Sequence, residues 1–541
     1  MTGRAAARLV AAASACVAAC AAASPNGAAD PGLAAIATRD AVVRVGAFAT
    51  VPAIALSGTR AFLVGEDGVA IFDRGAQRWL PPIPLLLRQP GMRAARVLAA
   101  TNLIGDAVWI ATSGRVFVLS PNLGATTASW IGGEPRSIRV ERGGANAFVL
   151  TDRWWIVGAT GAARPVAPSE LPPPERLADV TDASDPAVRR AIDDPLLTRD
   201  DALRSWPVIS ATRGGTRSDV WLGTAGGGVF HVDPDFHRTE QLAFGLRGGV
   251  VLALARAADG IVAAEASTDA TGGFAGFVTE GSDDLARWRW HALASQVGGV
   301  YAIALRGRTL CIAGPQGAGL IELPARASAM LPATVSRAVY DPAGVAVATR
   351  DGCAVGTQRG VRVLPWDGAP PRAGVAADAF LAPVYALAAA GDTIWAGTRD
   401  GVVTLLDGKP IGVARPVPAG GPIVALALVR DGLAAATADE VAILTGNAVQ
   451  RLTLPTAAIG RILTLAADDR TLWIGGASGV LAVTLATRAA VPVPLAPAGS
   501  VDPLPLGGAE VRAIVLAPGV AWLGTAAGLV RLRRGEDGLP R

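Results

Sequence analysis

The 541-residue chain carries a single lysine, Lys409, three histidines, three tyrosines, three methionines and four cysteines, and only 17% of its residues are charged. Each shortage excludes something. Long amphipathic helices carry Lys, Glu and Gln on their outer faces, so a chain with one lysine is not built mainly from them. The basic side is almost wholly arginine and the net charge is +4. Losing Arg4 and Arg8 with a leader would leave about +2, which is no footprint for nucleic acid. Cys16 and Cys20 lie in the first segment, so the body keeps only Cys311 and Cys353. Two cysteines cannot make a disulfide framework. Each sits in a short apolar run, where a buried free thiol is the expectation and a bond between them the alternative. No G-x-S-x-G elbow, CxxC pair or phosphate-cradling glycine loop before a helix occurs. No catalytic residue, metal ligand or cofactor site is therefore expected.

What is present points to strands. Hydrophobic residues make up 51% of the chain, enough burial to exclude disorder. The 65 glycines and 38 prolines are spread along the chain between short Val, Leu and Ala runs, the composition of many short strands and tight turns. The length exceeds what one ordinary core supports, which implies several units or a repeat.

Residues 1–20 begin with two arginines and run into a short apolar stretch from Leu9 to Ala19. That stretch is too short to span a membrane but suits a signal peptide. It ends in Val17-Ala18-Ala19-Cys20, which resembles the bacterial lipobox. The resemblance implies cleavage before Cys20 and a lipid on its sulfur, with 21–40 as a flexible tether. An ordinary signal peptide is the alternative. Every later apolar run is broken by charge, Gly or Pro, so the only expected membrane contact is the lipid.

The body repeats itself. Thr393-Ile394-Trp395-Ala396-Gly397-Thr398 is echoed by Leu472-Trp473-Ile474-Gly475, by Val220-Trp221-Leu222-Gly223-Thr224, by Ala521-Trp522-Leu523-Gly524-Thr525 and by Val108-Trp109-Ile110-Ala111-Thr112. Weaker copies fall at Phe62, Phe148, Val262, Cys311, Ala354 and Ala434, and most steps between copies are 39 to 49 residues. Each copy reads as a strand, a glycine-bearing turn and a second strand, with a further apolar run upstream. A unit of this size with four short strands is a propeller blade. The motif resembles the two-component-regulator propeller repeat, in which an apolar-Trp-Ile-Gly-Thr core precedes a glycine turn. Trp221, Gly223, Thr224, Trp395, Gly397, Thr398, Trp522, Gly524 and Thr525 match it directly, and Trp109, Trp473 and Gly475 match in part. It is not the WD type, since the only Trp-Asp pair is Trp366-Asp367. The resemblance implies an extracytoplasmic propeller; no kinase or helix-turn-helix region is recognisable that would carry over a signalling role.

The expected fold is thus an all-β propeller of about eleven four-stranded blades. Two rings of five to seven blades are expected, because eleven exceed the usual ring, and one large ring is the alternative. The last copy leaves little chain for an outer strand, whereas residues 41–48 form a lone strand-like run before the first. They are expected to close the last blade and hide its edge. In sequence order the division is 41–325 for six blades and 326–541 for five. If 41–48 close the last blade, one ring holds the first and last blades with the other inserted between them, and a simple break near 325–335 is the competing boundary.

Residues 164–206 interrupt the repeat. Asp185 before Pro186 signals a helix start, with Thr198 and Asp201 a weaker second one. A surface loop between blades is expected, and a loop lying over a propeller face is the functional alternative. Six residues are candidate ligand contacts: the aromatic pairs Trp154, Trp155 and Trp288, Trp290, and the histidines His231 and His237 that flank a turn. The expected function is an exported, lipid-anchored binding module of the bacterial envelope for a protein, peptide or glycan, or a secreted one. The alternatives are a propeller enzyme (a lyase or glycan-processing enzyme with its site at a channel mouth) and a sensor module for a separate signalling protein.

Overall fold

The computed structural model describes residues 41–85, 96–101, 107–119, 126–141, 145–173, 177–179, 185–200, 203–216, 219–266, 276–295, 299–323, 334–335, 339, 341–369, 382–406, 409–416, 420–495 and 509–541. Residues 1–40, on which the expected signal, Cys20 and tether fall, and Asp201 lie outside them. The regular structure of the described residues is strand but for one α-helix and short 3-10 turns. It forms eleven sheets, which we number as blades 1 to 11 in chain order, antiparallel except for the short parallel pairing of Thr334–Val335 with Trp288–Ser295. Every one of the eleven sequence copies falls on the second strand of its blade, from Arg60–Gly65 in blade 1 to Val520–Thr525 in blade 11.

The motif residues are there for packing. Trp109, Trp221, Trp473 and Trp522 are at most 2% exposed, each against the face of the neighbouring blade. Trp395 is half-buried. Gly397 and Gly524 lie where a Cβ would come within 2.8 Å of Ile423 and 2.5 Å of Val251, the residues that open the next blade's inner strand. Close approach of blades, rather than an unusual backbone angle, is what demands glycine there. The threonine locks the following turn: Thr224, Thr398 and Thr525 donate to the carbonyls of Gly228, Gly401 and Gly528 at 2.9, 2.9 and 2.8 Å.

Packing of the innermost strands sorts the blades into two arrays. Blades 5 to 11 follow one another around a closed ring of seven, in which the inner strand of blade 11, Val511–Ala517, packs on that of blade 5, Val250–Arg256. Blades 1 to 4 form a second array in the spatial order 4-1-2-3. Residue 325 therefore falls between blades 6 and 7, which are neighbours in one ring, and the change of array comes at 243–249 instead. Composition could not mark it, because that connection is no longer than the others.

The ring closes as a clasp. Val42–Val45 pairs antiparallel with Gly528–Arg533, Val42 opposite Leu532 and Val45 opposite Leu529, and so supplies the outer strand of blade 11. Past it, Arg534 is buried and donates to the carbonyls of Ala517 and Gly538 at 3.0 Å each while pairing with Asp468. Cys311 and Cys353 are not free thiols. They form a disulfide between the second strands of blades 6 and 7, both fully buried, with Cα atoms 6.3 Å apart.

The four-blade array is finished by the insertion rather than by a clasp. Asp185 caps the helix α1 (Pro186–Asp193), accepting from Ala187 and Val188. The helix lays Ala187, Val188 and Ala191 on Val220, Leu222, Phe230 and Val232, the face of blade 4 turned away from blade 1. The short strand Leu177–Asp179 adds to the inner strand of blade 3, Ser137–Glu141. So the insertion, expected as a surface loop, is a structural cap at both ends of the array. Thr198 starts no helix; it lies buried in a turn and accepts through its carbonyl from Trp206.

The two arrays share one core. Trp79 and Phe72 of blade 1, Trp221 of blade 4, Phe48 and Phe244 from the two crossing connections, and Trp288 of blade 5 meet with ring centroids 4.7 to 6.0 Å apart. The connections 46–52 and 243–249 run side by side there, with Phe48 donating to Leu246 and Leu246 to Gly46.

Candidate functional site

Antiparallel strands alternate direction, so the turns between second and third strands and the connections between blades lie at one end of each array. The other turns lie at the opposite end. Chain register then defines the mouth of the seven-blade channel at the first end. The residue just before the partner of each motif glycine position heads each innermost strand: Leu252, Tyr301, Gly344, Tyr385, Val424, Leu463 and Arg512. Tyr301 and Tyr385 are 51% and 40% exposed. Leu252, Val424 and Leu463 are half-buried, and Arg512, the one charged member of the seven, is paired with Glu510 at 3.0 Å. Among these seven described residues the mouth shows apolar side chains and two tyrosines beside the Arg512–Glu510 pair. Two of the three tyrosines of the chain stand at equivalent positions two blades apart, a signal that only the strand register reveals.

At the opposite end of the four-blade array, a cleft of about 650 Å³ opens between blades 1 and 4. Its floor is Phe72, Trp221 and Leu242, all buried. Above the floor, Asp219 accepts from Trp221 Nε1 at 2.7 Å, lies 3.1 Å from His231 Nε2 and pairs with Arg74. Burial alone would raise the Asp219 carboxyl. The hydrogen bonds from His231 and Trp221 and the Arg74 charge outweigh it and hold the group below the ordinary aspartate value. The His231 ring stacks on Trp221 at 4.9 Å.

The other candidate contacts are dispersed. His237 is exposed on the turn beyond His231 and faces Asp194 at 3.1 Å, so the two histidines serve different carboxylates. Trp154 and Trp155 stand on opposite faces of blade 3. Trp155 packs towards blade 2 and donates to Thr151 at 3.2 Å, whereas Trp154 lies on the other face under Arg139. Trp288 is buried in the core between the arrays, and Trp290 donates to the Gly245 carbonyl at 2.7 Å with its ring against Gly228. The four tryptophans and two histidines form no common site; His231 alone lines the cleft.

A third group of charges binds the arrays together. Arg247 lies over Trp206 and Phe277 at 4.7 and 4.0 Å, and Arg204 lies over Trp206 at 5.2 Å. Beside them Glu265 is 1% exposed and accepts from Thr279 Oγ1 and from the Gly248 backbone. Burial pushes its carboxyl up to about 7, against the hydrogen bonds that favour the charged form.

No family model matches the chain, and no curated protein does. Among solved structures it is similar to the extracellular domain of a putative one component system from B. thetaiotaomicron, at 11% identity and a TM-score of 0.37 over 90% of this chain and 69% of that one. The WD40 beta propeller domain of Doa1 is similar over 52% of this chain and 92% of its own, at 10% identity and a TM-score of 0.38. A chain of the mitotic checkpoint complex is similar over 52% and 90%, at 12% identity and a TM-score of 0.41. The propeller architecture itself stands on the strand pairing and blade packing described above. Among the described residues, no helix is long and apolar enough to cross a membrane.

Proposed function

We propose that the chain is an exported β-propeller, tethered by a lipid on Cys20, that binds a protein, peptide or glycan at the mouth of its seven-blade channel. The observation that carries this reading is the exposure of Tyr301 and Tyr385 at equivalent positions on an apolar rim. Tyrosine offers a large rigid surface with a polar tip at little entropic cost, which is why it recurs in binding sites. Export is supported by the buried Cys311–Cys353 bond, since such bonds persist outside the reducing cytosol. The likeness of the repeat to two-component-regulator propellers points to the same compartment.

Two experiments test the parts separately. Wild-type protein and the double variant Tyr301→Ala/Tyr385→Ala are compared on peptide and glycan arrays. Ligands held by the wild type are expected to be lost from the double variant, and their full retention excludes the mouth. Cys20→Ser is expected to move the protein from the membrane fraction to the soluble one. Unchanged fractionation excludes the lipid tether.

A further inference from the structure

The cleft between blades 1 and 4 lies apart from the channel mouth. Along the outermost strand of blade 4, Arg238, Glu240 and Leu242 occupy alternate positions, so they share one face, and all three line the cleft. Leu242 is buried in the floor, whereas Arg238 and Glu240 are exposed. The deeper charges are spoken for, because Asp219 already takes Arg74, His231 and Trp221. Among the described residues, neither Arg238 nor Glu240 has an ion-pair partner; Arg238 only leans over Phe236 at 5.7 Å.

The cleft therefore presents Arg238 and Glu240 side by side above an apolar floor, with Asp233 opposite Arg238 already held by the Asp235 and Phe236 amides. An anionic ligand would meet Glu240, a cationic one would meet Arg238, and a neutral one would leave both charges unanswered. A molecule that carries both charges on one carbon, with an apolar group beside them, answers all three features. We propose that this cleft binds a free α-amino acid with an apolar or aromatic side chain. Its carboxylate pairs with Arg238 and its ammonium with Glu240, while its side chain rests on Leu242 and the His231–Trp221 stack. The volume of about 650 Å³ lies within the range of small-ligand sites, with room for water around the charged ends.

The test is calorimetric titration of the full-length protein with L-leucine and L-phenylalanine, each beside its N-acetyl and amide derivatives. Binding of the free amino acids is expected. Masking either end removes one charge-assisted contact and is expected to weaken binding about tenfold or more. Arg238→Ala should bind leucine and leucine amide alike, and Glu240→Gln should bind leucine and N-acetyl-leucine alike. Both side chains are exposed, so an unchanged melting temperature separates loss of a contact from loss of the fold. The proposal is overturned if neither amino acid binds at millimolar concentration or if the masked derivatives bind as well as the free ones. Displacement of bound amino acid by maltose or inorganic phosphate, with neither charge variant altering the amino-acid affinity, also overturns it. Tyr301→Ala/Tyr385→Ala serves as the control that should leave this titration untouched.

Discussion

The seven-blade ring and the four-blade array are made from the same repeat and are finished in different ways. The ring borrows a strand from the far end of the chain, so each blade finds a blade on either side. The array is closed off by inserted sequence: a helix on the free face of blade 4 and a short strand along blade 3. The repeat dictates what a blade looks like, but completion is a separate problem with two solutions here. A sheet face or edge left bare is a liability, and either device removes it.

The largest effect should come from the clasp. Val45 is 1% exposed in the core that joins ring and array. Val45→Asp places an unpaired carboxylate there and should cost about 4 kcal/mol or more, read as loss of the ring's denaturation transition. Should the array unfold at the same denaturant concentration, the two are one cooperative unit and the comparison dissolves.

Next comes the disulfide. The bond joins residues 42 apart in adjacent blades, and removing it by Cys311→Ala/Cys353→Ala should lower the ring's stability by about 3 kcal/mol. The same change should leave unfolding of the array alone, which a probe on Trp155 of blade 3 can follow.

The joint between the arrays should respond to pH. The Glu265 carboxyl ordinarily titrates near 4.5 and titrates at about 7 in the folded chain. The folded state thus holds this proton more tightly than the unfolded state. The stability it contributes is complete below pH 4.5 and fades as pH rises through 7, by up to about 3 kcal/mol. Glu265→Gln should remove that slope, so the variant gains on the wild type between pH 5 and 8 in urea melts; parallel pH profiles would rule out the assignment.

The smallest effect belongs to the array's cap. Asp185→Ala removes the acceptor for Ala187 and Val188 and the Arg213 pairing, and should cost about 1 kcal/mol, confined to the array. An equal shift in the ring would show that α1 supports both.

The blades were legible because each motif residue answers a local demand. Trp fills the face towards the next blade, Gly lets that blade approach, and Thr ties the turn. Ring membership was not legible, because the choice of neighbour for blade 4 is made by contacts with blade 1, some 150 residues away, at Val51 and Ser210 among others. The disulfide left a signal that was readable in principle. Cys311 holds the Trp position of its copy, whereas Cys353 stands one residue before the corresponding Ala354. An offset of one turns a strand residue to the opposite face, so the two thiols look at each other across neighbouring blades. Of the candidate site, His231 was legible as a histidine near carboxylates. Asp219, Arg238, Glu240 and the two rim tyrosines were not, since their meaning comes only from blade register.

The clasp has a consequence in time. Val42 and its partner Leu532 are about 490 residues apart, an interval of roughly 25 to 100 s at ordinary rates of synthesis. Every strand and cap of the four-blade array lies between residues 53 and 242, so it can be complete while the ring still lacks its last blade. The first strand made is among the last to be placed. It must wait unpaired beside a finished array, held near its post by the parallel run of 46–52 and, once made, 243–249. Assembly therefore has an order: array first, joint second, ring last.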